Sequence, residues 1–492
     1  MGFKVDTSFL RFLTMGALAS QRVMQTMASA GLRPIELERY SSSNKIWATK
    51  VKRLRLPDVL CVNTGLRVEV RAKSDLAIRM SDAPDNPQRR WFSGLAAEDM
   101  VAFVHCKDVN GDFVLAQSPE LFWVRDIQQC REDQTKLGPA KSAGEGSERD
   151  REWPTIVPSQ SGQVLAVTAT TIQTRLDTGR AQTYQRRNLN PYVQPNDRFV
   201  GDAQFIAGLP TRKAAFSEVS GRRWNPRTLL AGSDIDRYVS AKALASVGGD
   251  ADLPALRGLL RDNDARVALE AAGSLAKLGD RGGVVELAAS LLEPREEYLR
   301  MEAVFLFSEL RHSPLAADAA EALDGLASNN SFAGDEVRQA AIWGLGRSGL
   351  MRYERLIPFL DADDENERVH AMVAFAPDLP DGVVRSLVAT LADAGASDRK
   401  KASAAHVLSS LTNASVAIQE LVAAASQQGG ASAWAKAILG ALPPTLTAQA
   451  LAAAGLTDEI RPLQMLSPSN NWTKVESVQS GINFVRKQTV SP

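Results

Sequence analysis

The sequence predicts a chain in three parts: an α/β mixed sheet at the N-terminus, a β-rich middle region, and an all-α solenoid of stacked helix pairs. Three observations carry this reading. Helix-period patterns recur at a regular interval only after residue 229, and strand-period alternation lies before it. The net charge of zero over 492 residues hides a division: residues 1–228 hold 33 Lys and Arg against 24 Asp and Glu (+9), and 229–456 hold 20 against 30 (−10). A basic body suits a polyanion, whereas an acidic helical body suits a protein partner or keeps the chain in solution. With 44% apolar residues the chain can fill several cores.

The element order follows from periodicity. Residues Ser8 to Ala30 carry Leu10, Leu13, Ala17, Val23, Met24 and Met27 at helical spacing and stop at Gly31. KIWATKVKRLRL (45–56) reads as a strand, and DVLCV and LRVEVRAK flank Asn63-Thr64-Gly65 as a hairpin. A short helical piece at Trp91 to Ala97 precedes MVAFVHC (100–106), a buried strand. Helix, three strands, helix, strand implies a mixed sheet in residues 1–108. Residues 109–228 read as a β-rich basic domain or an elaboration of the first. There VLAVTATTIQTRLDTGRAQTYQRR alternates around the turn Asp177-Thr178-Gly179, and Arg180, Arg186, Arg187, Arg222, Arg223 and Arg227 extend the basic character. The loop 138–154 is rich in Gly, Ser and charge but lacks the GK[ST] ending of a nucleotide-binding loop.

Residues 229–456 repeat themselves. Segments such as DRYVSAKALASVG (from Asp236), ARVALEAAGSLAKLG (from Ala265) and DEVRQAAIWGLGRSG (from Asp335) start polar, carry small residues in mid-helix and place a large apolar residue one turn later. Leu244, Leu275, Leu306, Leu345, Phe375 and Leu408 mark the repeat at intervals of 30 to 39 residues. Small residues let helices approach closely, and no pair buries its stripe without a stacked neighbour. This pattern resembles HEAT repeats, with a degenerate cap near Pro443-Pro444 and a tail over 457–492. The acidic run at Asp361 to Glu367 lacks the glycine and ligand spacing of a calcium loop and reads as a solvated turn.

The stretch LRLPDVLCVNTGLRVEVRAKSDL (54–76) holds the candidate chemistry. On a strand Val68, Val70 and Ala72 face one way and Glu69, Arg71 and Lys73 the other, while Asp58 heads the neighbouring strand after Pro57. Two carboxylates on adjacent strands can share a hard divalent cation, Mg²⁺ or Mn²⁺, that keeps waters for a phosphate substrate. A neighbouring cation can place the attacking water and offset charge on the phosphoryl oxygens. The bland alternative is an exposed face where Glu69 pairs with Arg71 or Lys73.

Pro57-Asp58, then Glu69 eleven residues on and a basic residue two later, resembles the PD-(D/E)XK nuclease family over residues 8–106. The resemblance implies a restriction-endonuclease-like sheet in which Asp58 and Glu69 hold Mg²⁺ and the residue at 71 serves the nucleophilic water. Here the sequence departs, because arginine holds charge but cannot act as a base. Lys73, on the same face, is the other candidate for that role. Gln21, Glu36 and Glu38 are further candidates to complete the site.

Lys45, Lys50, Lys52, Arg53, Arg55 and Arg67 crowd the same domain, with Arg79, Arg89, Arg90, Trp47 and Trp91 interleaved, a composition suited to phosphates and unpaired bases. The three cysteines and four histidines show no zinc spacing, and no signal segment or membrane span is evident, which points to the cytoplasm. The expected function is a metal-dependent DNA endonuclease whose repeats bind a regulatory or delivering protein, a fusion that resembles components of bacterial defence or DNA-processing systems. The alternative is a non-catalytic scaffold, with nucleic acid on the basic half and protein on the repeats.

Overall fold

Four residues at intervals of four, Met15, Ala19, Val23 and Met27, form the buried stripe of α1 (Thr7–Ser29), which docks on the first sheet. Gly31 takes φ +78 just after the helix, and the Leu32 amide reaches back to the Met27 carbonyl at 3.0 Å, a left-handed stop that glycine adopts without strain. The computed structural model describes residues 7–37, 54–109, 112–140, 148–292, 296–332, 335–346, 353–376, 378–412, 414–427 and 429–466. Residues 12–37 and 54–247 make up one compact unit, and residues 248–466 most of a second.

In the first unit come β1 (Pro34–Glu36), β2 (Val59–Cys61), β3 (Arg67–Lys73), β4 (Ile78–Asp82), β5 (Met100–Val109), β6 (Asp112–Leu115) and β7 (Glu120–Trp123). Six of these make one mixed sheet, ordered β1-β2-β3-β5-β6, with β7 also on β5. The β1–β2 and β2–β3 pairs are antiparallel, and β3–β5 is parallel. One face buries Val59, Val68, Val70, Ala102 and Val104 under α1. The other face buries Val101, Phe103 and Phe122 with Trp91 and Trp153, so Trp91 is a core residue. Residues 91–97 are turns rather than the expected helix, and the nearest helical piece is a short 3-10 turn at Pro87–Arg89. The expected strand over 45–56 lies mostly outside the described residues; 54–56 have no regular structure.

A short α2 (Val124–Gln128) follows, then β8 (Lys136–Ala140), β9 (Arg149–Trp153), β10 (Thr155–Ile156), β11 (Gly162–Val167), β12 (Thr171–Leu176), β13 (Ala181–Gln185), β14 (Asn190–Pro191), β15 (Arg198–Phe199) and β16 (Ala207–Gly208). They build three small sheets: β4-β9-β8, β10-β16-β14 and β13-β12-β11-β15. The turn at Asp177-Thr178-Gly179 joins β12 to β13, with Gly179 at φ +85. Burying the fully enclosed Asp82 is offset by Arg151 at 2.6 Å, Arg90 at 3.2 Å and the Trp91 amide at 3.1 Å. The unit closes with α3 (Asp234–Val247), whose Val239 and Ala243 pack on Leu37, Leu60 and Val62.

The second unit is helical: α4 (Leu253–Leu259), α5 (Ala265–Lys277), α6 (Arg281–Leu292), α7 (Glu297–Ser308), α8 (Ala316–Ser328), α9 (Glu336–Leu345), α10 (Tyr353–Leu356), α11 (Glu365–Ala374), α12 (Asp381–Ala392), α13 (Asp398–Ser409), α14 (Ser415–Ala425), α15 (Gly430–Ala441), α16 (Pro444–Ala454) and α17 (Thr457–Leu466). Leu275, Leu306, Leu345 and Leu408 are fully buried, as their spacing requires. Asp264, Asp335, Asp364 and Ser397 cap α5, α9, α11 and α13 by accepting a first-turn amide. Equivalent arginines tie successive pairs together. Arg300 Nε donates to the Leu291 carbonyl at 3.0 Å and Arg338 Nε to that of Ala327 at 2.8 Å, satisfying helix-end acceptors. The acidic run proves structural, with Asp364 as a cap and Asp361 and Asp363 paired to Arg399. Residues 457–466, expected as tail, form α17 with Ile460 fully buried; 467–492 lie outside the described residues.

Candidate functional site

The hairpin between β2 and β3 closes tightly. The Gly65 amide donates to the Cys61 carbonyl at 2.8 Å, and the Arg33 amide donates to Asn63 Oδ1 at 3.0 Å. Gly65 takes φ +73, and Trp224 packs where a Cβ would stand, at 2.7 Å. The turn therefore needs glycine twice over, for conformation and for space.

This turn sets a register of Val59 with Val68 and Leu60 with Arg67, so Asp58 is the next position across from Glu69. Opposite residues of an antiparallel pair share a face, and both carboxylates lie on the face away from α1. Asp58 is only 4% exposed. The β2 ladder ends at Val59, and Asp58 Oδ2 accepts the Val70 amide at 2.6 Å in its place. Side-chain burial here was not legible in the sequence, where Asp58 reads as a surface residue.

Glu69, Arg71 and Lys73 form the expected row along β3, but they do not behave alike. Arg71 pairs with Glu69 at 2.6 Å, with side chains 37% and 13% exposed. Lys73 Nζ instead donates to the main-chain carbonyl of Arg79 at 2.6 Å, fastening β3 to the start of β4. Across the parallel ladder the three stand beside Val101, Phe103 and His105 of β5. His105 Nε2 lies 2.9 Å from the Ser74 carbonyl, which can only accept, so that nitrogen carries a proton. On this face Leu60 belongs to the α3 cluster and Val101 and Phe103 to the tryptophan cluster. The partial burial of Glu69 strengthens its attraction to Arg71 relative to open water.

Other predicted residues fall elsewhere. Arg67 makes a two-pronged pair with Asp99, at 2.9 and 2.8 Å, and the Ala96 amide adds a third bond to that carboxylate at 2.7 Å. Burial pushes the Asp99 carboxyl above its ordinary range in spite of Arg67. Arg79 pairs with Glu152 at 2.7 Å and Arg90 with Asp82, whereas Arg55 is exposed. Glu36 stands across from Val59, on the α1 face, and Gln21 lies on α1 itself, so the register does not gather them with Asp58 and Glu69. Lys45, Trp47, Lys50, Lys52, Arg53 and Glu38 lie outside the described residues.

Among the described residues no group of three or more His, Cys, Asp or Glu gathers as a metal-binding cluster. Asp58 and Glu69 are two carboxylates at adjacent register positions, the hard-oxygen donor type with which Mg²⁺ is held when waters and a phosphate complete its shell. No helix among the described residues is long and apolar enough to cross a membrane.

Residues 228–308 match the family model of HEAT repeats. Among solved structures, the complex of CpcE and CpcF of phycocyanin lyase from Nostoc sp. PCC7120 is 21% identical, covering 51% of this chain and 96% of that one, with a TM-score of 0.24. An engineered protein is 20% identical over 53% of this chain and 77% of its own, with a TM-score of 0.23. No curated protein matches the chain. The helices of the C-terminal region form a solenoid that contains HEAT repeats at residues 228–308, and the N-terminal unit is sheet-rich.

Proposed function

We propose that the N-terminal unit is a metal-dependent phosphodiesterase acting on DNA, and that the repeats bind a protein which regulates or delivers it. The observation that carries this reading is the register that sets Asp58 across from Glu69, on one face of a mixed sheet, with Arg71 paired to Glu69. The antiparallel β2–β3 hairpin followed by the parallel β5 also accords with the PD-(D/E)XK resemblance. A bound Mg²⁺ would supply an activated water and offset charge on the phosphoryl oxygens.

The residues' own parts follow from their contacts. Val70 fixes the Asp58 carboxylate through its amide, so the carboxylate is oriented before any ligand arrives. Glu69 is held toward the same face by Arg71. Arg71 keeps its charge at every working pH and presents planar donors suited to a phosphate, so its role is a clamp on the scissile group rather than a base. Lys73 Nζ holds the Arg79 carbonyl at the start of β4, a structural contact. The repeats offer stacked helix ends and an acidic surface, the kind of extended platform such arrays use to hold proteins.

The direct test incubates the full chain with plasmid and with linear duplex in Mg²⁺ or Mn²⁺. Degradation that stops with chelator is the expected result. If folded protein leaves both DNA forms intact under either metal, the scaffold alternative replaces the nuclease.

A further inference from the structure

The sheet β13-β12-β11-β15 has two unlike faces. One buries Val164, Ile172, Leu176 and Phe199 in its own apolar cluster. The other turns out Gln163, Gln173, Arg175, Thr183 and Arg198, with Arg198, Gln163 and Arg175 in one row across three strands. Half-buried antiparallel sheets normally show water a polar face, but that face usually mixes both signs of charge. Here no carboxylate projects from the strands outward. Residues 155–200 contain five arginines, no lysine and two aspartates. One of those, Asp177, sits in the turn and pairs with Arg198 at 2.7 Å. Arg180 and Arg187 stand exposed at the two ends of β13.

We propose that this outward face docks the phosphodiester backbone of double-stranded DNA, as a grip separate from the Asp58–Glu69 site. Its commitment to DNA rests on the function proposed above. Charge complementarity selects the occupant. Arginine's planar fork matches phosphate oxygens, and glutamine and threonine donate to phosphate and sugar without reading sequence. An outward face without aromatic side chains has nothing on which unpaired bases could stack, which favours a duplex over single strands. Arg186 takes no part, because its guanidinium is spent on the Leu189 and Thr168 carbonyls, at 2.9 and 2.6 Å.

The test measures binding of a fluorescent duplex to the full chain in chelator, so that cleavage plays no part. The double variant Arg175→Ala/Arg180→Ala should weaken binding about tenfold at low salt and flatten the slope of log affinity against log salt by roughly one unit per lost contact. Arg175→Lys/Arg180→Lys should keep most of that slope. If the double variant melts below the parent, Arg175→Glu alone supplies the reading. Unchanged affinity and slope in a folded variant would overturn the proposal. So would anionic phosphatidylserine vesicles capturing the parent chain through these arginines while DNA does not. Because no step depends on hydrolysis, loss of this grip and loss of the Asp58–Glu69 site are read separately.

Discussion

Glu69, Arg71 and Lys73 show how one row of charges separates into different tasks. Arg71 touches the carboxylate that would hold the metal, and Lys73 touches a main-chain oxygen six residues on. Arg71→Ala should therefore lower the rate of DNA cleavage by two orders of magnitude or more, about the cost of losing one preorganised electrostatic contact to a developing charge. Lys73→Ala should leave cleavage within a few-fold and lower the melting temperature, because it unties β3 from β4. Steady-state cleavage rates and thermal melts of the two variants check this, and the reverse ranking would move the clamp to Lys73. A second residue-scale expectation concerns His370, fully buried on α11 with Nδ1 donating to the Asn366 carbonyl at 2.6 Å. Burial holds its imidazole down to about 4, from an ordinary 6.5. Because the unfolded chain takes up that proton first, stability is fully present above pH 6.5 and declines as pH falls toward 4. Urea denaturation across that window should show the decline, and His370→Gln should flatten it.

At the scale of elements, the hairpin turn is where sequence and structure agree most closely and where a single atom matters. Gly65→Ala forces a non-glycine residue to φ +73 and drives its Cβ into Trp224. Gly179 has φ +85 with nothing within 4 Å of where a Cβ would stand, so Gly179→Ala meets only the conformational cost, about 1–2 kcal/mol. Chemical denaturation should find Gly65→Ala the more damaging of the two by at least about 1 kcal/mol, the cost of overpacking. The repeat helices, α1, β3, β5 and the two hairpins were legible because periodicity and turn residues are local signals. What the sequence concealed is non-local. Arg67 reads as a phosphate contact, yet Asp99, 32 residues away, claims it through two hydrogen bonds. Trp91 reads as core more than as a stacking platform, and its burial and edge-on contact with Trp153, ring centroids 5.3 Å apart, bear that out. Asp58 reads as exposed because nothing local reveals that β2 stops one residue short and leaves the Val70 amide to a side chain.

On the scale of the whole molecule, a basic sheet-rich unit and an acidic repeat unit share one chain, and the proposal gives each its own kind of recognition. The repeats need only stack to function as a platform, and their buried leucines and capped helices account for that stability without any chemistry. The proposed chemistry depends on two carboxylates kept on one face by the four-residue turn 62–65. Asp58→Asn is the informative change, since its amide oxygen can still accept the Val70 amide while the charge is gone. The decisive measurement is Mn²⁺ binding to the full chain by electron paramagnetic resonance, with Asp58→Asn and Glu69→Gln alongside. The account predicts a single Mn²⁺ site in the parent chain that both substitutions abolish while the melting temperatures stay near the parent's; equal Mn²⁺ binding in all three proteins, or none in the parent, would contradict it.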